Sequence, residues 1–241
     1  MISILPVRGL PEIREGDDLA ALVTERIELE DADVLVLAQK AVSKVEGRVI
    51  RIDSLEASAK AVELAGDDRD PREVEAVLRE TRRIVRERGP LVIAETRHGF
   101  VCASAGVDHS NAPEPGTLVL LPVDPDASAR VVRERVRELT GREVGVVVTD
   151  SFGRPFRAGT TDVAIGVAGI PPLLDLRGTT DRIGYELRSS QVAIADEIAA
   201  AADLARGKAE GVPAVVVRGL RLAGDGSARE IVIERELDLF T

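Results

Sequence analysis

The sequence predicts an α+β protein, a mixed α/β arrangement of mixed sheets with flanking helices. Three patterns carry that expectation. Short, nearly all-apolar runs rich in β-branched residues recur at residues 33–38, 144–148 and 212–218; such runs suit strands covered on both faces. Helical patterns stand between them in irregular order. Residues 91–96 and 99–104, joined across Arg97-His98-Gly99, have the form of a hairpin. Strands, helices and hairpins mixed in this way point to an α+β architecture. The 241 residues suffice for one large domain or two small ones. No repeat or low-complexity linker divides them. Residues 1–241 are therefore expected to form one domain, whole or as two intimately packed subdomains.

Each element has its own signal. Residues 2–7 alternate enough for a strand. A helix follows from Gly16, with Asp17 as N-cap and Leu19, Leu22, Val23 and Ile27 on one face. The strand at 33–38 delivers Gln39 and Lys40 at its end, with Lys44 beyond in a loop. Residues 54–64 and 70–88 read as helices, Pro71 taking the first turn, where its missing N–H costs nothing. The Arg-rich part of the second, interleaved with Glu, reads as a solvated helix face that Gly89-Pro90 ends. After the hairpin comes a loop at 105–111, then a strand at 117–121. Asp126 or Ser128 is expected to cap a helix running to Leu139 and closed by Gly141. The strand at 144–148 ends in Thr149, Asp150 and Ser151, with Phe152-Gly153-Arg154-Pro155 as a turn. Residues 164–170 are apolar and punctuated by glycine; residues 175–185 are polar, either a mobile loop over a site or merely exposed. An Ala-rich helix at 191–204, a buried strand at 212–218 and an edge-like strand at 231–240 complete the order.

Composition narrows the function. A net charge of −10 argues against a nucleic-acid backbone or an anionic membrane as partner. Aromatics at 2% leave little for base stacking and hand the core to Val, Leu, Ile and Ala. The single cysteine, Cys102, excludes an internal disulfide and reads as a buried core thiol. His98 and His109 are too few for a typical zinc site. No run approaches the roughly 20 apolar residues of a membrane span, and M-I-S-I-L-P-V is too short for a signal peptide. A cytoplasmic protein is expected. Walker, dinucleotide and G-x-S-x-G motifs are absent.

Three strand ends carry candidate chemistry. Asp150 and Ser151 offer oxygen ligands to a hard cation, and Arg154 and Arg157 suit phosphate oxygens; equally, the Asp and Ser could cap a turn. Lys40 and Lys44 could grip phosphates or sit in a solvated loop. Asp108, Ser110 and Asn111 fit Mg²⁺ or Mn²⁺ better than zinc, or form an Asx-turn.

On these residues the chain resembles the coenzyme F420-0:L-glutamate ligases, the γ-glutamyl ligases of deazaflavin cofactor biosynthesis. The resemblance covers nearly the whole chain. Its landmarks are G-L-P-E-I after the first strand, S-K-V-E-G at 43–47, A-G-V-D-H-S-N at 105–111, V-V-V-T-D-S-F-G-R-P-F-R at 146–157, A-D-E-I-A at 195–199 and G-V-P-A-V-V-V-R-G at 211–219. It implies the γ-glutamyl ligase fold and GTP-dependent, successive addition of L-glutamate to F420-0 through an acyl phosphate. It also implies two divalent cations, Mg²⁺ or Mn²⁺, assisted by K⁺, and a homodimer. Carried over by position, Leu10, Pro11, Glu12, Ile13, Gln39, Lys40, Lys44 and Asn111 would bind the nucleotide. Asp108 and Asp150 would hold one cation and Ser151 would touch the second. The family often has Thr where Ser151 stands and Ser where Gln39 stands. No role follows for His109, Lys208 or Glu210, and the base for the amine is not identified. No flavin-dependent domain of the kind fused to some relatives is expected here. A metal-dependent phosphohydrolase and a non-catalytic nucleotide-binding module are the rival readings.

Overall fold

The computed structural model describes residues 1–207 and 210–239; Lys208 and Phe240 lie outside the described residues. The chain is α+β, as its patterning predicts. In order it forms β1 (Ser3–Pro6), α1 (Leu19–Thr24), β2 (Val34–Ala38), α2 (Gln39–Val45), β3 (Val49–Arg51), α3 (Ala59–Ala65) and α4 (Pro71–Glu80). There follow β4 (Thr81–Arg88), β5 (Leu91–Thr96), β6 (Val101–Ala103), β7 (Thr117–Val119), α5 (Pro125–Thr140), β8 (Gly145–Arg154) and β9 (Arg157–Ala168). The short β10 (Leu174–Asp175) and β11 (Gln191–Val192), α6 (Ile194–Arg206) and β12 (Ala214–Arg218) end the series.

The main sheet has five strands in the order β1-β12-β2-β8-β9. β12 is antiparallel to both β1 and β2, and β2 is parallel to β8. It follows that β1, β2 and β8 all run the same way. Their carboxyl ends, and the start of β12, share one edge. Val34 to Leu37, Val146 to Val148 and Val215 to Val216 are buried because helices and neighbouring strands cover them on every side. α6 lies across β1, β12, β2, β8 and β9, while α5, with α1 against it, packs on β8 and β9. Gly166 lets α5 approach that closely: a Cβ there would stand 2.3 Å from the Pro125 carbonyl oxygen.

A second, smaller core gathers Leu64, Val74, Val77, Val92, Leu118 and Leu120. It is built from α3, α4, the β4-β5-β6 sheet and the β3-β7 ribbon. Gln39, in α2, joins the cores. Its buried Nε2 donates to Ser43 Oγ at 2.7 Å and to the Leu120 carbonyl at 2.9 Å.

Several local expectations are corrected. The helix expected over 70–88 stops at Glu80, and Thr81–Arg88 is strand β4. Its charges are cross-strand partners, not a helix face: Arg82 and Arg83 both reach Glu95. Gly89-Pro90 turns a hairpin instead of stopping a helix. The helix expected from 54 starts at Ala59, capped by Ser58. Asp18, not Asp17, caps α1. Asp124, not Asp126 or Ser128, caps α5 through the Ala127 N–H. Asp126 is buried and used otherwise, accepting from Val167 N, Ala228 N and Ser227 Oγ. Gln39 to Lys44 are helical, not a loop. β8 does not end at Ser151 but runs to Arg154 as one arm of a hairpin with β9. Gln191–Val192 form β11, so the following helix starts at Ile194. The tail at 231–239 folds into 3-10 turns, not an edge strand. Cys102 is a buried core thiol on β6, pushed up to about 12 by burial and by the nearby Asp150 charge. No described helix is long and apolar enough to cross a membrane.

Candidate active site

Ligands of open α/β sheets sit beyond the carboxyl ends of strands, where the chain leaves the sheet and side chains converge on a space the strands no longer fill. Here that edge receives the loop after β1, α2 after β2, and the run of β8 past Thr149. β2 pairs with β8 only as far as Ala38 opposite Thr149. From Asp150 onward β8 therefore has an edge that β2 does not cover.

The smaller core contributes to the same place. Its loop after β6 carries Asp108, pinned to the ribbon by backbone bonds to Val119 in both directions. Lys40 Nζ, from the first turn of α2, lies 2.6 Å from Asp108 Oδ2 and 2.5 Å from Ser110 Oγ. Ser110 in turn donates its N–H and its hydroxyl to Asp108, at 2.8 and 2.9 Å. Burial pushes the Asp108 carboxyl up, but Lys40 and Ser110 outweigh it and hold it below the usual carboxylate range.

Asp150 has the opposite balance. Burial pushes its carboxyl up to about 7, against the lowering pull of the Ser151 N–H and Lys40; the charges of Asp162 and Asp108 push it further the same way. Asp108 and Asp150, distant in sequence, are thus close enough in the fold to repel one another. Lys40 acts on both, pulling each carboxyl down.

Behind β8 is a network that sequence reasoning missed. Thr149 and Ser151, two apart on the strand, share a face. Both hydroxyls donate to buried Asp162 on β9, at 2.9 and 2.6 Å. Arg206, at the end of α6, donates Nη1 to Asp162 at 2.6 Å and to Thr149 Oγ1 at 2.8 Å. Its Nε and Nη2 are buried without a partner among the described residues. Burial holds the Arg206 guanidinium below its usual range, with Asp162 pulling the other way. Reading Phe152 to Pro155 as a turn concealed this pairing. Even a regular hairpin centred on Pro155-Phe156 would set Thr160 opposite Ser151; the bulge between Gly153 and Arg154 shifts the register so that Asp162 stands there.

The remaining candidates are distributed as follows. Lys44 is buried along its stem and bonded to exposed Glu12 at 2.5 Å, which draws the loop after β1 onto α2. In that loop Leu10 is half-buried, Pro11 is exposed, and Ile13 is part of the main core, so it can offer a ligand its backbone only. Gln39 is 2% exposed with its amide donors engaged inside. Asn111 is exposed, in a left-handed conformation with φ 56°. Arg154 and Arg157 pair at the exposed hairpin tip, three residues beyond Ser151 on β8. Glu210 bonds Arg8 at 3.3 Å, so the segment before β12 meets the loop after β1.

The donor set decides which cation would suit. Asp108, Asp150 and the Ser151 hydroxyl are oxygen donors, as a hard cation requires. Among the described residues no group of three or more His, Cys, Asp or Glu is placed to hold a metal. An all-protein cage is therefore not built here. An ion of the Mg²⁺ or Mn²⁺ kind, which takes one or two carboxylates and fills its sphere with water and phosphate, fits these residues.

Comparison with known proteins places this edge in context. The profile of the family described as F420-0:Gamma-glutamyl ligase matches residues 9–219. The chain belongs to that family. The matched span holds the segment from Leu10 to Ile13, the carboxyl end of β2 and all of β8. Proteins named coenzyme F420:L-glutamate ligase are similar along their whole length. That of Methanopyrus kandleri is 49% identical over 246 residues, covering 99% of this chain and 97% of its own. Those of Methanothermobacter thermautotrophicus and Archaeoglobus fulgidus are 43% and 45% identical, each covering 99% of this chain and 98% and 96% of their own. Membership accounts for a ligase with its polar residues at the sheet edge.

Proposed function

We propose that this γ-glutamyl ligase joins L-glutamate to the terminal carboxylate of F420-0, and then to the growing γ-glutamyl tail, at the expense of GTP. The observation that carries the reading is the meeting of Lys40 and Asp108 at 2.6 Å, beside Asp150, where the carboxyl ends of β2 and β8 open. It is supported by full-length similarity to proteins named for that ligation.

A carboxylate does not react with an amine until its oxygen becomes a leaving group. In the proposed sequence the γ-phosphoryl of GTP passes to the substrate carboxylate, giving an acyl phosphate and GDP. The amine of L-glutamate then attacks the acyl carbon, phosphate departs, and the amine gives up a proton as the amide forms. Phosphoryl transfer is mainly a matter of positioning and charge stabilisation, so an enzyme with little histidine can perform it. Lys40 and Lys44 would bring point charges to the phosphates, and the loop from Leu10 to Ile13, tied down through Glu12, would border the nucleotide. Asn111 sits on the facing loop. Asp108 and Asp150 would hold a divalent cation, which when bound supplies charge neutralisation for the triphosphate that an acidic protein lacks. Arg154 and Arg157, exposed at the tip, would meet a part of the substrate extending out of the site.

The test is to incubate the protein with GTP, Mn²⁺, L-glutamate and F420-0 and to follow nucleotides and products by mass spectrometry. The reading requires GDP, phosphate and a product heavier by one glutamyl unit. Phosphate release without glutamate in the product would make the protein a hydrolase, and intact GTP would make it a binding module.

A further inference from the structure

We propose that Lys40 masks Asp108, so that cation and nucleotide each open the site for the other: a phosphate that draws Lys40 away frees a carboxylate oxygen for the cation, and a cation on Asp108 frees Lys40 for the phosphate. The inference rests on the cation and nucleotide reading given under the proposed function. It adds an autoinhibitory contact that couples the two ligands.

The hydrogen bonds around Asp108 set the terms on which a cation enters. A carboxylate oxygen has two lone-pair positions, and an ammonium can only donate. Asp108 Oδ1 accepts the Ser110 N–H at 2.8 Å. Oδ2 accepts the Ser110 hydroxyl at 2.9 Å and the Lys40 ammonium at 2.6 Å. Oδ2 is therefore filled, and a cation that takes it must displace one of the two. Ser110 is held from within the same turn by its own N–H. Lys40 reaches in from the other core on a flexible stem, so Lys40 yields first. A cation settling on Oδ1 instead would stand beside an ammonium of like charge. The same ammonium acts on Asp150.

Phosphate meets the converse obstacle. Lys40 donates to Asp108 and, at 2.5 Å, to Ser110 Oγ, and Asp108 sets a negative charge beside any phosphate that approaches the lysine. Each ligand removes what opposes the other. By linkage, the factor that nucleotide adds to cation affinity is the factor that cation adds to nucleotide affinity, commonly about 5-fold to 150-fold. The pair is built to exchange partners. The Lys40 side chain is 22% exposed and that of Asp108 44%, so water reaches both groups as they part, and an accessible pair contributes little to stability. Lys44 marks the contrast. Its ammonium bonds Glu12, which is not among the proposed cation ligands, so removing it frees no oxygen for a cation.

The experiment measures two affinities of the full chain: Mn²⁺ without nucleotide, from the electron paramagnetic resonance signal of the free ion, and GDP in EDTA, by calorimetry. Lys40→Met should tighten Mn²⁺ alone by about 5-fold or more, the reverse of what loss of a site residue ordinarily brings. Asp108→Asn should tighten GDP alone by a similar factor. Lys44→Ala should leave Mn²⁺ alone unchanged, and Lys40→Met/Asp108→Asn should lose the Mn²⁺ gain. Mn²⁺ bound no more tightly by Lys40→Met, or GDP bound no more tightly by Asp108→Asn, would overturn the proposal. So would an equal Mn²⁺ gain in Lys44→Ala, which would mark a general effect of charge. The wild type separates the two levels. If it binds Mn²⁺ and GDP together while neither variant shows its gain, only the masking fails. If it binds neither, even when both are supplied, the cation and nucleotide reading fails and the masking with it.

Discussion

Lys40 and Asp108 meet at 2.6 Å across the junction of the two cores, one in the first turn of the helix that follows β2 of the main sheet, the other on a loop of the smaller core. The pair makes the site a product of tertiary structure. It also sets the local electrostatics: Lys40 holds Asp108 low and pulls against the burial that raises Asp150.

Replacing Lys40 by Met should therefore weaken nucleotide more than a typical surface lysine would. Loss of one phosphate contact of this kind corresponds to about 1.4 kcal/mol per tenfold in affinity. Calorimetric titration with GDP and Mn²⁺ should show about a tenfold weaker complex or worse. Lys44→Ala should act in the same direction, and the pair Lys44→Ala/Glu12→Gln no more strongly than Lys44→Ala alone. Unchanged affinity in both lysine variants would remove them from the phosphate site.

Asp150→Asn should abolish ligation without harming the fold. The sign follows from the raised carboxyl. The folded protein favours the protonated form, so the stability Asp150 contributes is full below the ordinary carboxylate range and is lost as pH rises through about 7. At pH 8 the wild type buries an ionised group that asparagine does not. Metal-free melting at pH 8 should find the variant at least as stable as the wild type, with the advantage shrinking towards pH 5. A large loss of stability at both pH values would contradict the assignment.

Cation affinity should carry the same signature. A divalent ion held by Asp150 would have to displace its proton, so Mn²⁺ affinity should rise with pH up to about 7 and then level. Asp108, held low, adds no step in that range. Titration over pH 5.5 to 8.5, roughly spanning that step, should lose its slope in Asp150→Asn; a slope that persists would place the titrating group elsewhere.

Much of this was legible in the sequence because it is local. The buried runs ending in Ala38 and Val148 are strands, and Asp150, Lys40 and Asp108 follow apolar segments whose burial fixes where they emerge. What was not legible was pairing. Thr81 to Arg88 has enough Glu and Arg to continue a helix, and only the partner strand, with Glu95 opposite, makes it β4. Asp162 looks unremarkable until the β8–β9 register sets it opposite Ser151, and Arg206 until α6 folds back over the sheet. Gln39 looked like a ligand-facing group. Its amide instead bonds Leu120 across the core boundary, a contact that no local pattern encodes.

Asp126 supplies a control away from the site. Its carboxylate takes Val167 N, Ala228 N and Ser227 Oγ, tying the chain after β12 to α5 and β9. Asp126→Ala leaves buried donors unsatisfied, and each such loss costs about 1–3 kcal/mol. Denaturant melts should show a destabilisation of about 2–4 kcal/mol, while activity per folded molecule stays near wild type.

The most direct measurement is anomalous diffraction from a crystal soaked with Mn²⁺ and GDP. The account predicts a manganese peak at inner-sphere distance, about 2.1 Å, from carboxylate oxygens of both Asp108 and Asp150, with the β-phosphate beside Lys40. An ion bound with neither aspartate in contact, or a nucleotide lodged away from the ends of β2 and β8, would contradict it.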